Sequence, residues 1–166
     1  FRSLGAERVG YPSIVGTGVN ATTLHYDKSR SQLQAGELVV MDMGAEYGFY
    51  SADVTRTIPA SGKFSPRQLS IYNLVLATQQ AAMDSIRPGI TMGRLGQISR
   101  EYMKAHSGDL CAPGTCDQYY IHGLGHWIGM DVHDVGNYAT PLAPVRWSTR
   151  RSSPQSAGAA RRRSVR

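Results

Sequence analysis

Two aspartates eleven residues apart, Asp42 and Asp53, and three histidines within twelve positions, His122, His126 and His133, are the side chains of this sequence best suited to chemistry. Asp42 interrupts an apolar run from Leu38 to Met43. A carboxylate among apolar neighbours has to be paired, protonated or bound to a cation. Gly44 to Gly48 then supplies turn chemistry, and Phe49 to Ile58 is rich in aromatic and β-branched side chains, so the two runs are expected to form a hairpin. With the turn centred between Tyr47 and Gly48, residues whose numbers sum to 95 face each other. That register sets Asp42 against Asp53 with Cβ atoms roughly 5 Å apart. Facing carboxylates repel. A shared proton relieves this in part, whereas two hard cations between the strands relieve it more completely and make a two-metal hydrolytic centre. The plainer reading is two ordinary strands, with Asp53 solvated and Asp42 capping the turn at Gly44.

His122 and His126 stand four apart, as in helical zinc proteases. However, Gly123, Gly125 and Gly129 oppose a helix, and Gly123 stands where such a protease needs Glu. The segment is therefore expected to be extended, with both histidines on one face and the glycines leaving room for a substrate or metal. Surface histidines in a Gly-rich loop are the plainer alternative.

The elements that must hold these groups are legible in part. Arg8 to Tyr26 alternates β-type residues with Gly and Asn, which predicts short strands joined by turns, with His25 near a strand end. The apolar run around Asp42 predicts a strand covered on both faces. Ser65 followed by Pro66 starts a helix, and Leu69, Tyr72, Val75, Leu76, Met83 and Ile86 keep helical spacing until Pro88-Gly89 stops it. Thr91 caps a second helix, with Met92, Leu95, Ile98, Tyr102 and Met103 on its inner face, ending near Ser107-Gly108. Strands, hairpin, two helices and strands again predict an α+β domain whose helices cover one face of an antiparallel sheet.

A chain of 166 residues with 41% hydrophobic content fits one domain, and no apolar run approaches the roughly 18 residues of a membrane span. The net charge of +6 is misleading, because residues 145–166 hold 7 of the 18 Lys and Arg and none of the 12 acids. The body, residues 1–144, is nearly neutral, and the Arg/Ser/Ala-rich end is expected to be a disordered tail, the product of a frameshift near Val145. This excludes a specific nucleic-acid binder, since seven arginines without interleaved aromatics bind phosphate unspecifically. Cys111 and Cys116 bracket a polar loop. Without a leader before Phe1 they are expected to be reduced surface thiols of a cytoplasmic protein; if it is exported or periplasmic, they close a small disulfide.

Asp42, the Asp53-x-Thr-Arg-Thr run, His122-Gly-Leu-x-His126-Trp and Asp131-Val-His133-Asp134 together resemble the pita-bread metallopeptidases, the family of creatinase, aminopeptidase P and prolidase. The likeness covers roughly Gly5 to Pro144 and leans to aminopeptidase P through Trp127. It implies an α+β pita-bread fold and two divalent ions, manganese first and cobalt or zinc as alternatives, with Asp42, Asp53 and His126 among their ligands. It further implies His25 on the substrate side, His122 and His133 as substrate-contacting and proton-transferring groups, and a peptide substrate with proline second. Arg56 is expected to support the ligands or to form a strand ion pair. Such enzymes use two Glu ligands besides, yet no Glu follows Glu101 here. The fold is thus expected to be incomplete and the chain inactive as it stands. An Xaa-Pro dipeptidase, or a non-enzymatic binding protein on the same fold, are the rival readings, and homo-oligomerisation is left open.

Overall fold

The computed structural model describes residues 1–144, so the stretch read as a tail lies outside the described residues. Six short strands come first: β1 (Arg8–Val9), β2 (Ile14–Thr17), β3 (Leu38–Met43), β4 (Ala45–Tyr47), β5 (Tyr50–Ser51) and β6 (Val54–Pro59). Two helices follow, α1 (Pro66–Asp84) and α2 (Met92–Ala105), and 3-10 turns cover Gly18–Thr22 and Cys116–Tyr119. The strands form two antiparallel three-stranded sheets, ordered β1-β4-β5 and β2-β3-β6. Among the described residues no strand follows α2, contrary to expectation.

The hairpin exists, but its register differs from the predicted one. Tyr47 pairs with Tyr50, Asp42 with Thr55 and Met43 with Val54, so facing numbers sum to 97. The turn lies at Gly48 and Phe49, with φ of 54° and 70°. Two positive φ values in a two-residue loop make a turn whose twist matches the flanking strands. A phenylalanine in left-handed backbone is unusual, and for that reason composition points one residue too early. Asp42 and Asp53 are therefore diagonal neighbours and not directly opposed. The displacement is by an even number, so the alternation of side chains still puts both on one face.

Between β3 and β4 the ribbon bends where a side chain has no room. A Cβ on Gly44 would sit inside the Ala52 carbonyl, and this close approach lets Ala52 N donate to Ala45 O at 2.8 Å and Gly10 N to Gly44 O at 2.9 Å. Both β1 and the segment after it are thereby tied to the hairpin beside Asp42. β3 is the central strand of its sheet, yet only Val39 is fully buried and the rest of the strand is half-buried. Backbone pairing on both edges, rather than cover on both faces, accounts for its apolar sequence.

The helix starts follow their local signals. The Ser65 side chain accepts from Gln68 N, and the Gln68 side chain accepts from Ser65 N, a complete capping box. Thr91 likewise accepts from Arg94 N. On α2 the predicted inner residues Leu95 and Met103 are buried, with Ser99 between them. On α1 the expected stripe is wrong: Leu74, Thr78 and Ala82 are buried, while Leu69, Val75, Leu76 and Met83 are exposed, as is Ile86 beyond the helix end. α1 packs on α2, Leu74 clustering with Met103, and the helices pack on each other more than on the sheets. Leu74, Met103 and Cys116 form a small core with Leu110, Cys111 and Tyr120 against it. Cys111 and Cys116 are disulfide-bonded with Cα atoms 5.2 Å apart, and Cys116 is buried, so the expectation of two surface thiols is corrected. No described helix is long and apolar enough to cross a membrane.

Candidate metal centre

The acid pair shares one partner. The Tyr11 hydroxyl lies 2.5 Å from Asp42 Oδ1 and 3.1 Å from Asp53 Oδ1. A hydroxyl carries one hydrogen, so the shorter contact takes it and Asp53 receives at most a share. Burial and the two carboxylates, the burial foremost, hold the Tyr11 phenol well above the usual tyrosine range.

Asp53 finds its second partner in the histidine segment. His126 Nε2 is 2.9 Å from Asp53 Oδ2, and His126 Nδ1 is 2.9 Å from the Trp127 carbonyl. A carbonyl oxygen only accepts, so Nδ1 is the protonated nitrogen. The Nε2–Oδ2 contact is a hydrogen bond only with a second hydrogen on Nε2, and a cation taking the place of that hydrogen would meet the Nε2 lone pair while Nδ1 stays anchored. The Trp127 carbonyl also accepts from Asp134 N at 3.0 Å, and Gly129 O accepts from Ser51 N at 2.8 Å. The segment is thus pinned to β5 although it contains no strand of its own. Gly129 makes room for the protein's own Asp134 carboxylate, which a Cβ there would meet, and does not lie open to a ligand.

His133 lies tilted against His126, with ring centres 4.2 Å apart, and neighbours His25 at 5.7 Å. Both His25 and His133, with Tyr11, Pro12, Asp42 and Asp53, line a cavity of about 320 Å³. Across Tyr11, Pro12, Val132 and His133 it adjoins a wider hollow of about 830 Å³ that also meets Arg8 and Glu46. His25 is not at a strand end as expected. It follows the 3-10 turn with φ of 55°, a left-handed backbone whose cost has to be offset by its surroundings.

His122 stands apart from these groups. It is exposed, its Nδ1 donates to Gly123 O at 2.7 Å, and its ring meets Tyr120 edge-on at 5.2 Å. Arg100 holds that segment, with NH2 3.3 Å from the His122 carbonyl and its guanidinium 4.7 Å from the Tyr120 ring centre. Arg56 is exposed and donates to Thr55 O at 2.8 Å, so it neither reaches the acids nor forms an ion pair among the described residues. Two lining residues escaped the sequence reading: Asp27, and above all Tyr11. A tyrosine thirty-one positions before Asp42 carries no local signal of contact with it.

Among the described residues no three His, Cys, Asp or Glu side chains are gathered into a ready metal cage. The donor chemistry nevertheless fits a divalent cation: two carboxylates and an imidazole on one line of hydrogen bonds, the imidazole anchored through Nδ1 with Nε2 toward the acids.

Comparison with known proteins bears on this arrangement. Metallopeptidase family M24 matches residues 1–156, past the end of the body at Pro144. The chain is similar to a Xaa-Pro aminopeptidase of Haemophilus influenzae, 41% identical over 138 residues that cover 77% of this chain and 32% of the relative. The Escherichia coli Xaa-Pro aminopeptidase is 36% identical over 148 residues, covering 83% of this chain and 34% of the relative. Among solved structures, proline aminopeptidase P II from Yersinia pestis superposes with a TM-score of 0.75 at 35% identity, over 87% of this chain and 36% of that one. A zinc-substituted E. coli aminopeptidase P in complex with product gives 0.76 at 34% identity, over 87% and 36%. The chain spans about a third of the length of the curated relatives it matches. The α+β fold expected from the resemblance is the one these structures share with it. A metallopeptidase family implies divalent metal, and on the breadth of the match the chain belongs to metallopeptidase family M24.

Proposed function

We propose that this chain carries the acid-pair part of a dinuclear-metal aminopeptidase that releases the residue preceding proline from a peptide N-terminus. One observation carries the reading: Asp42, Asp53 and His126 hang on a single line of hydrogen bonds at the edge of a cavity that His25 and His133 also line. The Xaa-Pro aminopeptidases similar to the chain add the substrate class.

Asp42, Asp53 and His126 would hold the divalent ions, with manganese the first candidate. When bound, such ions polarise the scissile carbonyl and lower the pKa of water. The remaining roles belong to side chains. His126 is anchored through Nδ1 at the Trp127 carbonyl, so Nε2 is the nitrogen whose lone pair would face a cation. His25 and His133 line the cavity as neighbours, ring centres 5.7 Å apart, placed to contact a bound peptide and, from His133, to deliver a proton to the leaving proline nitrogen. His122, exposed and turned toward Tyr120, keeps the family role only if the segment turns inward when substrate binds. The compartment follows the redox state of Cys111 and Cys116: bridged they favour an oxidising one, reduced the cytoplasm.

The test is a transplant. Residues 1–144 replace the matching stretch of the E. coli Xaa-Pro aminopeptidase, and Xaa-Pro-Xaa tripeptides and Xaa-Pro dipeptides are assayed with Mn2+. Cleavage before proline in the tripeptide, abolished by Asp53→Asn, is the expected result. A chimera that cuts dipeptides alone would shift the reading to a dipeptidase, and a folded chimera that cuts neither would end it.

A further inference from the structure

Tyr11 belongs to none of the motifs, yet three independent constraints place its hydroxyl between the acids. Pro12 restricts the backbone that follows it. Gly10 N donates to Gly44 O at 2.9 Å, which fixes the segment against the bend two residues after Asp42. The ring edge occupies the space beside Gly44, where an added Cβ would come within 2.8 Å of Tyr11 Cε1. The hydroxyl then meets Oδ1 of Asp42 and Oδ1 of Asp53.

We propose that Tyr11 is the positioning residue of the acid pair, its hydroxyl fixing the distance and orientation at which Asp42 and Asp53 stand toward each other and toward a cation. Diagonal neighbours on a sheet lie farther apart than directly opposed ones, so the register found here leaves the two carboxylates free to splay under their mutual repulsion. A neutral donor between them opposes that motion. A hydroxyl donor carries no charge, so it performs this task without adding to the repulsion. Asp53 is held from its other side by His126 at 2.9 Å. Asp42, Tyr11, Asp53 and His126 consequently form one connected line, and deleting the hydroxyl breaks it at the centre while leaving the ring beside Gly44. Positioning is a property of the metal-free chain; only its final step, toward a cation, rests on the function proposed above.

Tyr11→Phe removes the oxygen alone, and two measurements on the whole chain decide the matter. The first is urea unfolding without metal, in the wild-type background and in Asp42→Asn/Asp53→Asn. Tyr11→Phe is expected to raise the unfolding equilibrium constant roughly tenfold in the wild type, the scale of a hydrogen bond to a charged group, and less than about threefold once both acids are neutral. The second is Mn2+ titration, followed by calorimetry and by the tyrosine near-ultraviolet difference spectrum. Loss of such a supporting partner is expected to weaken Mn2+ binding by about 10–100-fold, and the spectral change of the wild type should vanish in Tyr11→Phe. Equal destabilisation in both backgrounds would overturn the positioning role whatever Mn2+ does, and so would unchanged Mn2+ affinity. Absence of Mn2+ binding by the wild type, with the coupling intact, would remove the cation reading and leave the positioning role standing.

Discussion

Replacing Gly44 by alanine tests whether the bend between the two sheets is what delivers Asp42 and Tyr11 to each other. The new methyl meets the Ala52 carbonyl and the Tyr11 ring edge, and the first of these is backbone that cannot rotate away. Overpacking of this kind costs about 1–3 kcal/mol, and a rigid obstacle places it near the upper end. If Ala52 also gives up its hydrogen bond to Ala45 O, about 1 kcal/mol more is lost. A total of about 4 kcal/mol is a large part of the 5–15 kcal/mol typical of a domain. It corresponds to a melting temperature lower by roughly 8–16 °C. Circular dichroism during urea and thermal unfolding measures this directly. Gly93→Ala, in the first turn of α2 with only Thr91 Oγ1 at 3.9 Å from the added atom, is the control and should be neutral or stabilising by up to about 1 kcal/mol through helix propensity. A Gly44→Ala protein within about 0.5 kcal/mol of wild type would refute the close-approach reasoning.

Ser65→Ala removes half of the capping box on α1 and should lower stability by about 1 kcal/mol in urea unfolding. Burial pushes the Tyr120 phenol up, against Arg100 which draws it down. Above about pH 10 the unfolded chain therefore loses that proton before the folded one does, so stability falls with rising pH, and Tyr120→Phe should flatten this part of the pH–stability curve. Thiol counting in denaturant should find no reactive cysteine until a reductant is added, and reduction of the short Cys111–Cys116 loop should destabilise by about 2 kcal/mol.

What the sequence revealed and what it hid divide along the range of the interactions involved. Both helix starts are legible because Ser65, Pro66 and Thr91 act on backbone groups within three residues. The common face of Asp42 and Asp53 is legible because strand alternation survives an even register error, whereas their exact opposition is not, since the turn depends on a positive φ at Phe49. The inner face of α1 was misjudged for a tertiary reason. Leu69, Val75 and Met83 have helical spacing, but the line buried in the fold is Leu74, Thr78 and Ala82 instead. In the site, Asp42, Asp53 and His126 converge as the motif implied, and His25 and His133 join them around one cavity. His122 does not, because Arg100 and Tyr120 hold its segment outward. Tyr11 was hidden because its contact with the acids is made entirely through the fold.

The central claim is that Asp42, Asp53 and His126 are cation ligands and make an incomplete two-ion set by themselves. Two ions bring about four positive charges, and among the described residues these ligands supply two carboxylates and one imidazole, which brings no negative charge. The direct measurement is elemental analysis of the chain after equilibrium dialysis against Mn2+, with hydrolysis of a proline-containing tripeptide followed on the same sample. At most one weakly held ion per chain, lost in Asp53→Asn, and no release of the N-terminal residue are predicted. Two tightly held ions with robust cleavage would contradict the account.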